Sequence, residues 1–326
     1  MIKKQKCAVI GCGFVGATTA YTLMKSHLFS EMVLLDIDRK KAAGEAEDLS
    51  HGLSFNSPMD IYAGNYEDLA DASIIILAAG ASQQEGETRM DLLEKNRRIF
   101  ESIVQNICRV GAEAILLVVT NPVDVLTQIT LQLSGLPKER VIGSGTVLDT
   151  ARLKYQLGKR FGVDARNVHA FILGEHGDSE FPVFSSANIS GVDLADFCGA
   201  GCKSRELCAP HSLEPLFEDV KNSAYRIIDG KGATYYAIAE AVLRIVSAIL
   251  RDEKTILPVS AYVEDYYGVH DVCIGVPCVI GRAGVESVLR IPLDASEQER
   301  FRHSAAVIRA ALDSVHSPLQ PQKLTR

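Results

Sequence analysis

The sequence predicts an α/β protein, with a doubly wound parallel sheet over residues 1–143 followed by an α+β region over residues 144–326. Three observations predict it. Short β-rich runs alternate with helical patterns through the first half, a Gly-x-Gly-x-x-Gly run follows the first of them, and the pattern changes character after about residue 145.

The β-rich runs are Cys7–Ile10, Met32–Leu35, Ser73–Leu77, Ala114–Val119 and Val141–Ile142. Between the third and fourth, Leu93, Phe100, Val104, Ile107 and Val110 recur at helical spacing while Glu94, Lys95, Arg97 and Arg98 fall on the other faces, so that segment is a crossover helix. In the second half a helix is expected over Val147–Phe161 and a strand over Val168–Leu173, followed by further strand-like runs. Helices resume from Pro215 to about Asp229 and from about Ala233 to Leu250, divided by Gly230 and Gly232. Val272–Ile280 and Val285–Ile291 flank Gly281 to Gly284 and read as a β-hairpin. Phe301, Ala305, Ile308, Leu312 and Val315 make one stripe of a closing helix, and the residues from Ser317 onward are expected to fray.

The 326 residues are 47% hydrophobic and 23% charged, enough apolar material for a sizeable core in one large or two medium domains. A net charge of −7 offers no footprint for nucleic acid or an anionic membrane, so an anionic ligand must be met by local Arg or Lys. The basic start and the apolar stretch from Cys7 to Leu23 copy the outline of a signal peptide, but Gly11, Gly13 and Gly16 interrupt it. No run reaches the ~18 apolar residues of a membrane span. Eight cysteines without a secretory signal suit reduced thiols and a cytoplasmic location. Cys198, Cys202, Cys208 and His211 are read as incidental rather than as a metal set, and no metal is expected.

Gly11-Cys12-Gly13-Phe14-Val15-Gly16 follows a strand and opens a helix, the context in which this pattern binds a dinucleotide. Gly11 permits the tight turn, Gly13 the approach of a pyrophosphate and Gly16 close helix–strand packing, with the anion on the helix N-terminus. Asp36, 20 residues beyond Gly16 at the end of the second strand, can accept from ribose hydroxyls and repels a 2′-phosphate. NAD is therefore expected over NADP, in a Rossmann-type domain.

If the hydride acceptor is a small 2-oxo acid, the chemistry needs a carboxylate clamp, a proton donor and a group that polarises the carbonyl. Asp149 and Arg152 are i,i+3 on an expected helix and share a face, although the usual fate of such a pair is a solvated local ion pair. His176 sits in the glycine-flanked loop Gly174-Glu175-His176-Gly177-Asp178 after a strand, where a histidine is either a catalytic acid or an exposed loop residue. Residues 80–91, including Gln83 and Arg89, read as a polar lid or as a plain surface loop.

Gly-Glu-Thr-Arg at 86–89, Thr120-Asn121-Pro122, Leu148-Asp149-Thr150-Ala151-Arg152, Gly174 to Asp178 and Lys231-Gly232-Ala233-Thr234 together resemble, in order and over nearly the whole chain, the L-lactate/malate dehydrogenase family. The resemblance implies that His176 exchanges the proton, Asp149 orients it, Arg152 clamps the substrate carboxylate and Arg89 polarises the carbonyl when a lid closes. It implies that Asn121 hydrogen-bonds near the reacting oxygen and that Thr234 and Ile238 line the pocket. It further implies that Val15, Asn121, Ser144 and Ile238 join Gly11, Gly13, Gly16 and Asp36 around NAD. Gln83 stands where the malate branch places an Arg, and a neutral side chain suits the methyl of pyruvate. Glu180 to Phe184 also resembles the lactate branch.

Three positions depart from the family's pattern. Gln84 and Glu85 replace a frequent Lys and Pro in the lid, and Lys154 replaces an Arg of the effector site that His169 otherwise resembles. Lys is a point charge without a bidentate fork, which weakens the expectation of activation by a sugar bisphosphate. The implied activity is interconversion of pyruvate and (S)-lactate in glycolysis and fermentation, by a homotetramer with no nucleic-acid or membrane partner. The alternatives are a malate or branched-chain 2-hydroxy acid dehydrogenase, or a non-catalytic NAD-binding relative.

Overall fold

The computed structural model describes residues 5–81, 86–194, 196–197 and 210–315. Its first half runs β1 (Lys6–Ile10), α1 (Phe14–Lys25), β2 (Glu31–Leu35), α2 (Arg39–His51), β3 (Asp60–Ala63), β4 (Ile74–Leu77), α3 (Arg89–Arg109), β5 (Ile115–Val118), α4 (Val123–Ser134) and β6 (Val141–Gly143). The strands are parallel in the order β3-β2-β1-β4-β5-β6, the doubly wound arrangement expected. Strands β1, β4 and β5 are buried along their whole length, which is why they read as unbroken apolar runs rather than alternating ones. Strand β3 is an edge strand with only Ile61 buried, and its short Asp-Ile-Tyr-Ala sequence carries little signal, so the sequence reading passed over it.

The second half adds α5 (Val147–Phe161), β7 (Val168–Leu173), β8 (Phe181–Ile189), β9 (Val192–Asp193), α6 (Pro210–Lys231), α7 (Tyr236–Leu250), β10 (Thr255–Val263), β11 (Val272–Gly281), β12 (Gly284–Val288) and α8 (Ala295–Ser314). Helix α5 and strand β7 span the residues expected. Helix α6 continues through Gly230 to Lys231 and takes Pro215 within it, so the break between the two helices falls at Gly232, where φ is +83°, and not at Gly230. The hairpin β11–β12 forms as expected, but β12 ends at Val288, three residues short.

Strands β10, β11 and β12 do not stand apart. They extend the parallel sheet antiparallel to it, β10 pairing with β6 through Ser260 and Gly143, to make nine strands. Strands β7, β8 and β9 form a separate antiparallel sheet. Helix α5 joins the two regions. Val147 and Leu148 pack into the core around the large sheet, while Leu153, Leu157 and Phe161 pack with Val168, Ile172 and Phe217 in a second core. This places the start of α5 and the end of β7 beside the carboxyl ends of the parallel strands, where the strand order reverses between β1 and β4 and ligands bind in such folds.

Candidate active site

Around β1 the backbone dictates glycine. Gly11 has φ +99°, and a Cβ there would lie 2.4 Å from the Ala79 backbone; a Cβ on Gly16 would lie 1.7 Å from the Gly11 carbonyl oxygen. Gly13 differs, because nothing lies within 4 Å of where its Cβ would be. The open cradle sits at the N-cap of α1, whose first turn holds no acidic residue, so the free N–H groups face room for an anion. Val15 packs against the core just inside the helix.

Asp36 follows β2. Its Oδ2 accepts the backbone N–H of Cys12 at 2.7 Å and its Oδ1 that of Asp38 at 2.9 Å. The carboxylate assigned to ribose recognition therefore also braces the glycine loop. Asn121 follows β5 and Ser144 follows β6, the latter tied back by its N–H to Val118 at 2.8 Å. Open glycine cradle, helix N-terminus and carboxylate fit a dinucleotide with unphosphorylated ribose.

The residues expected to handle the proton come together where α5 meets the loop between β7 and β8. His176 Nδ1–H donates to Asp149 Oδ2 at 2.6 Å, and Arg152 donates to Asp149 Oδ1 at 2.9 Å. Asp149 is 4% exposed at its side chain and His176 24%, so the carboxylate is enclosed while the imidazole keeps an open side. Burial alone would raise Asp149, but His176 and Arg152 outweigh it and hold the carboxyl below its ordinary value. Burial alone would lower His176; Asp149 and Glu180 outweigh it and raise the imidazole well above its usual value. Asp149 and Arg152 do form the i,i+3 ion pair, but an enclosed rather than a solvated one, and the same carboxylate also serves His176.

The loop itself is held from three sides. Gly174 and Gly275 exchange backbone hydrogen bonds at 3.0 Å, Ser304 Oγ accepts the Glu175 N–H at 2.6 Å, and buried Asp124 accepts the His176 N–H at 2.8 Å. Asp124 also accepts from the Ser260 hydroxyl at 2.5 Å, and burial pushes its carboxyl up to about 6. Asp124, Ser260 and Ser304 escaped the sequence reading. The available signal was Asp124, an acid in the apolar run Val123–Leu126 just after Asn121 and Pro122.

Thr234 and Arg152 line one largely apolar cavity of about 370 Å³ with Tyr155, Ile227 and Tyr235, and Ile238 is half-buried in the first turn of α7. Arg89 is the first residue of α3, after an N-cap in which Thr88 and Asp91 hydrogen-bond reciprocally. The Arg89 side chain, Gln83, Gln84, Glu85, Cys198, Cys202 and Cys208 lie outside the described residues. Buried Asn96 of α3 accepts the Ala81 N–H at 2.8 Å and donates to the Asn121 carbonyl at 3.0 Å. Lys154 is half-buried on α5, its ammonium lowered by burial, and His169 is exposed on β7.

A glycine cradle that fits a dinucleotide, together with a histidine held by an enclosed aspartate and a half-buried arginine, suits an NAD-dependent oxidoreductase of the hydroxy-acid type. Residues 5–143 match the NAD binding domain of lactate/malate dehydrogenase and residues 146–318 its alpha/beta C-terminal domain. The chain belongs to the lactate/malate dehydrogenase family, and its cofactor is NAD. Among its relatives, L-lactate dehydrogenase 1 of Clostridium acetobutylicum is 50% identical over 315 residues, 97% of this chain and 100% of the relative. L-lactate dehydrogenase of Acetivibrio thermocellus is 50% identical over 95% of this chain and 97% of its own length. Two solved structures superpose with a TM-score of 0.91 over 96% of this chain and 99% of theirs. They are a lactate dehydrogenase from a Medee basin deep-sea metagenome library, at 44% identity, and a minor L-lactate dehydrogenase from Enterococcus mundtii with ligands bound, at 39%.

Proposed function

We propose that the protein is an NAD-dependent L-lactate dehydrogenase, reversibly reducing pyruvate to (S)-lactate. The observation that carries the reading is the single carboxylate of Asp149 holding His176 on one oxygen and Arg152 on the other, at 2.6 and 2.9 Å. The names of the similar relatives support the choice of substrate, as does a neutral Gln83.

Gly11, Gly13, Val15, Gly16 and Asp36 would hold the dinucleotide's phosphate and ribose end, with Asn121, Ser144 and Ile238 toward the nicotinamide. When bound, the cofactor supplies the hydride that reaches the substrate's C2. Arg152 takes the substrate carboxylate bidentately, which fixes the carbonyl in one orientation. His176, charged before the reaction because Asp149 stabilises the imidazolium, gives its Nε2 proton to the carbonyl oxygen and recovers it in the reverse direction. Arg89 polarises that oxygen as the lid closes and water leaves. The reading includes a homotetramer working in the cytoplasm, in glycolysis and fermentation, without nucleic-acid or membrane partners. No helix among the described residues is long and apolar enough to cross a membrane.

The test is kcat/KM with NADH for pyruvate, oxaloacetate and 2-oxoisocaproate. Pyruvate should lead; a preference for either other acid overturns the substrate, and no turnover with any of them overturns the enzyme.

A further inference from the structure

Glu180 closes the catalytic loop. It directly precedes β8, whose Phe181 pairs with Leu173 at the end of β7, so its backbone is fixed by the strand pairing that ends the loop. Its side chain is 4% exposed, and its Oε2 has no hydrogen-bond partner among the described residues. That oxygen lies 3.8 Å from His176 Nδ1, too far for a hydrogen bond and close enough for a strong charge interaction. Asp149, His176 and Glu180 each bring one atom within 4.8 Å of the others.

A buried carboxylate without a donor is costly, and a neighbouring cation is what offsets the cost. The charged groups acting on Glu180 are Asp149 and Arg152 from α5 and His176 in its own loop, and His176 in turn is held through its backbone N–H by Asp124 of α4, on which Glu175 also acts. Asp178 of the loop, with Glu299, Arg300 and His303 of α8, lines the cavity of about 420 Å³ beside Glu180. The cation nearest the orphan oxygen is His176, once protonated. Arg152 is already committed to Asp149. With His176 charged, Asp149 and Glu180 balance His176 and Arg152; with His176 neutral, the group carries one surplus negative charge in a buried place.

We propose that Glu180 is a positioning residue for the proton donor, its ionised carboxylate keeping His176 charged and ready to donate to a higher pH than Asp149 alone would allow. The inference rests on the reading of His176 as the acid in pyruvate reduction. Burial and the nearby Asp149 push the Glu180 carboxyl up to about 7, so its charge is present through the alkaline range in which the imidazolium must persist. Below that range Glu180 takes a proton and its hold on His176 relaxes. A substrate carboxylate arriving on Arg152 adds a further negative charge and tightens the imidazolium's grip on its proton until transfer.

The test is the pH dependence of kcat/KM in both directions for the wild type, Glu180→Gln and Glu180→Asp. Reduction needs the imidazolium and oxidation the neutral ring, so losing the Glu180 charge moves the alkaline limb of reduction and the acid limb of oxidation the same way. In Glu180→Gln both should move to lower pH by about 1 unit, the lower end of the ~1–3 units an opposite charge at this range carries. Plateau rates should stay within about tenfold, and Glu180→Asp, which keeps the charge, should hold its limbs near the wild type. Lowered plateaus with unmoved limbs, or equal shifts in both variants, overturn the proposal in favour of a packing role. Should Glu180→Gln not fold, the wild-type His176 imidazole ¹⁵N shifts, titrated with NADH bound, decide: two inflections support the coupled pair and a single one overturns it. That titration needs no substrate, so a failure of the pyruvate reading and a failure of the Glu180–His176 coupling are told apart.

Discussion

Asp124 accepts the backbone N–H of His176 at 2.8 Å, across 52 residues of sequence. A helix that begins just after Asn121 and Pro122 in the first half thereby sets the position of a loop contributed by the second half. The other oxygen of Asp124 is taken by Ser260 on β10, so the carboxylate ties α4, the catalytic loop and the large sheet into one unit. Neither partner is charged, which is why burial wins and the acid is raised rather than lowered.

That raised acid gives a pH signature. Asp124 goes from 3.8 to about 6 in the folded chain, so the stabilising proton is fully held below the unfolded value and lost as pH rises through about 6. A shift of about 2 units corresponds to about 3 kcal/mol. Asp124→Asn, which cannot ionise, should therefore gain about 3 kcal/mol relative to wild type between about pH 4 and about pH 7. Urea unfolding at both pH values reads the difference, and parallel behaviour of the two chains would show that Asp124 does not titrate with folding.

His176→Ala should leave NADH binding nearly intact and lower pyruvate turnover by roughly 10²–10⁴, the usual cost of removing a general acid. Fluorescence titration of NADH beside steady-state rates separates the two effects. A large loss of NADH affinity with little loss of turnover would place His176 on the cofactor instead.

Asp36→Ser should relax discrimination against NADPH, because the carboxylate that repels a 2′-phosphate is gone. Since Asp36 also accepts the Cys12 N–H, NADH affinity should fall at the same time. Comparing KM for NADH and NADPH tests both, and a wild type that already uses NADPH as well as NADH would refute the assignment.

Gln83→Arg tests the substrate rather than the family. Oxaloacetate brings a second carboxylate which, unpaired and buried, costs on the order of 3–5 kcal/mol, or two to three factors of ten in kcat/KM. The guanidinium should take that carboxylate and leave an unpaired charge against the methyl of pyruvate, swinging preference to oxaloacetate. A change in the ratio below about tenfold means residue 83 does not meet the substrate.

What could be read from the sequence follows how local the physics is. Strands β1, β4 and β5 were legible because burial on both faces writes a continuous apolar run, and Asp149 with Arg152 because i,i+3 spacing on α5 puts them on one face. Edge strand β3 buries one side chain and leaves almost no pattern. The supports of the catalytic loop were hidden for a different reason: Asp124 and Ser260 meet across 136 residues, and Glu175 and Ser304 across 129, so no window of sequence contains either pair. Glu180 was visible only as a marker of the lactate branch, its orphaned oxygen being a property of packing.

Strand β6 owes its outer neighbour to β10, whose Ser260 lies 117 residues beyond Gly143 along the chain. During synthesis from the N-terminus, the parallel sheet can therefore assemble while its β6 edge remains bare, an open template for pairing with another chain. The cofactor half made alone should be sticky for the same reason, and covering that margin with β10 to β12 makes late translation a protective step as well as a constructive one.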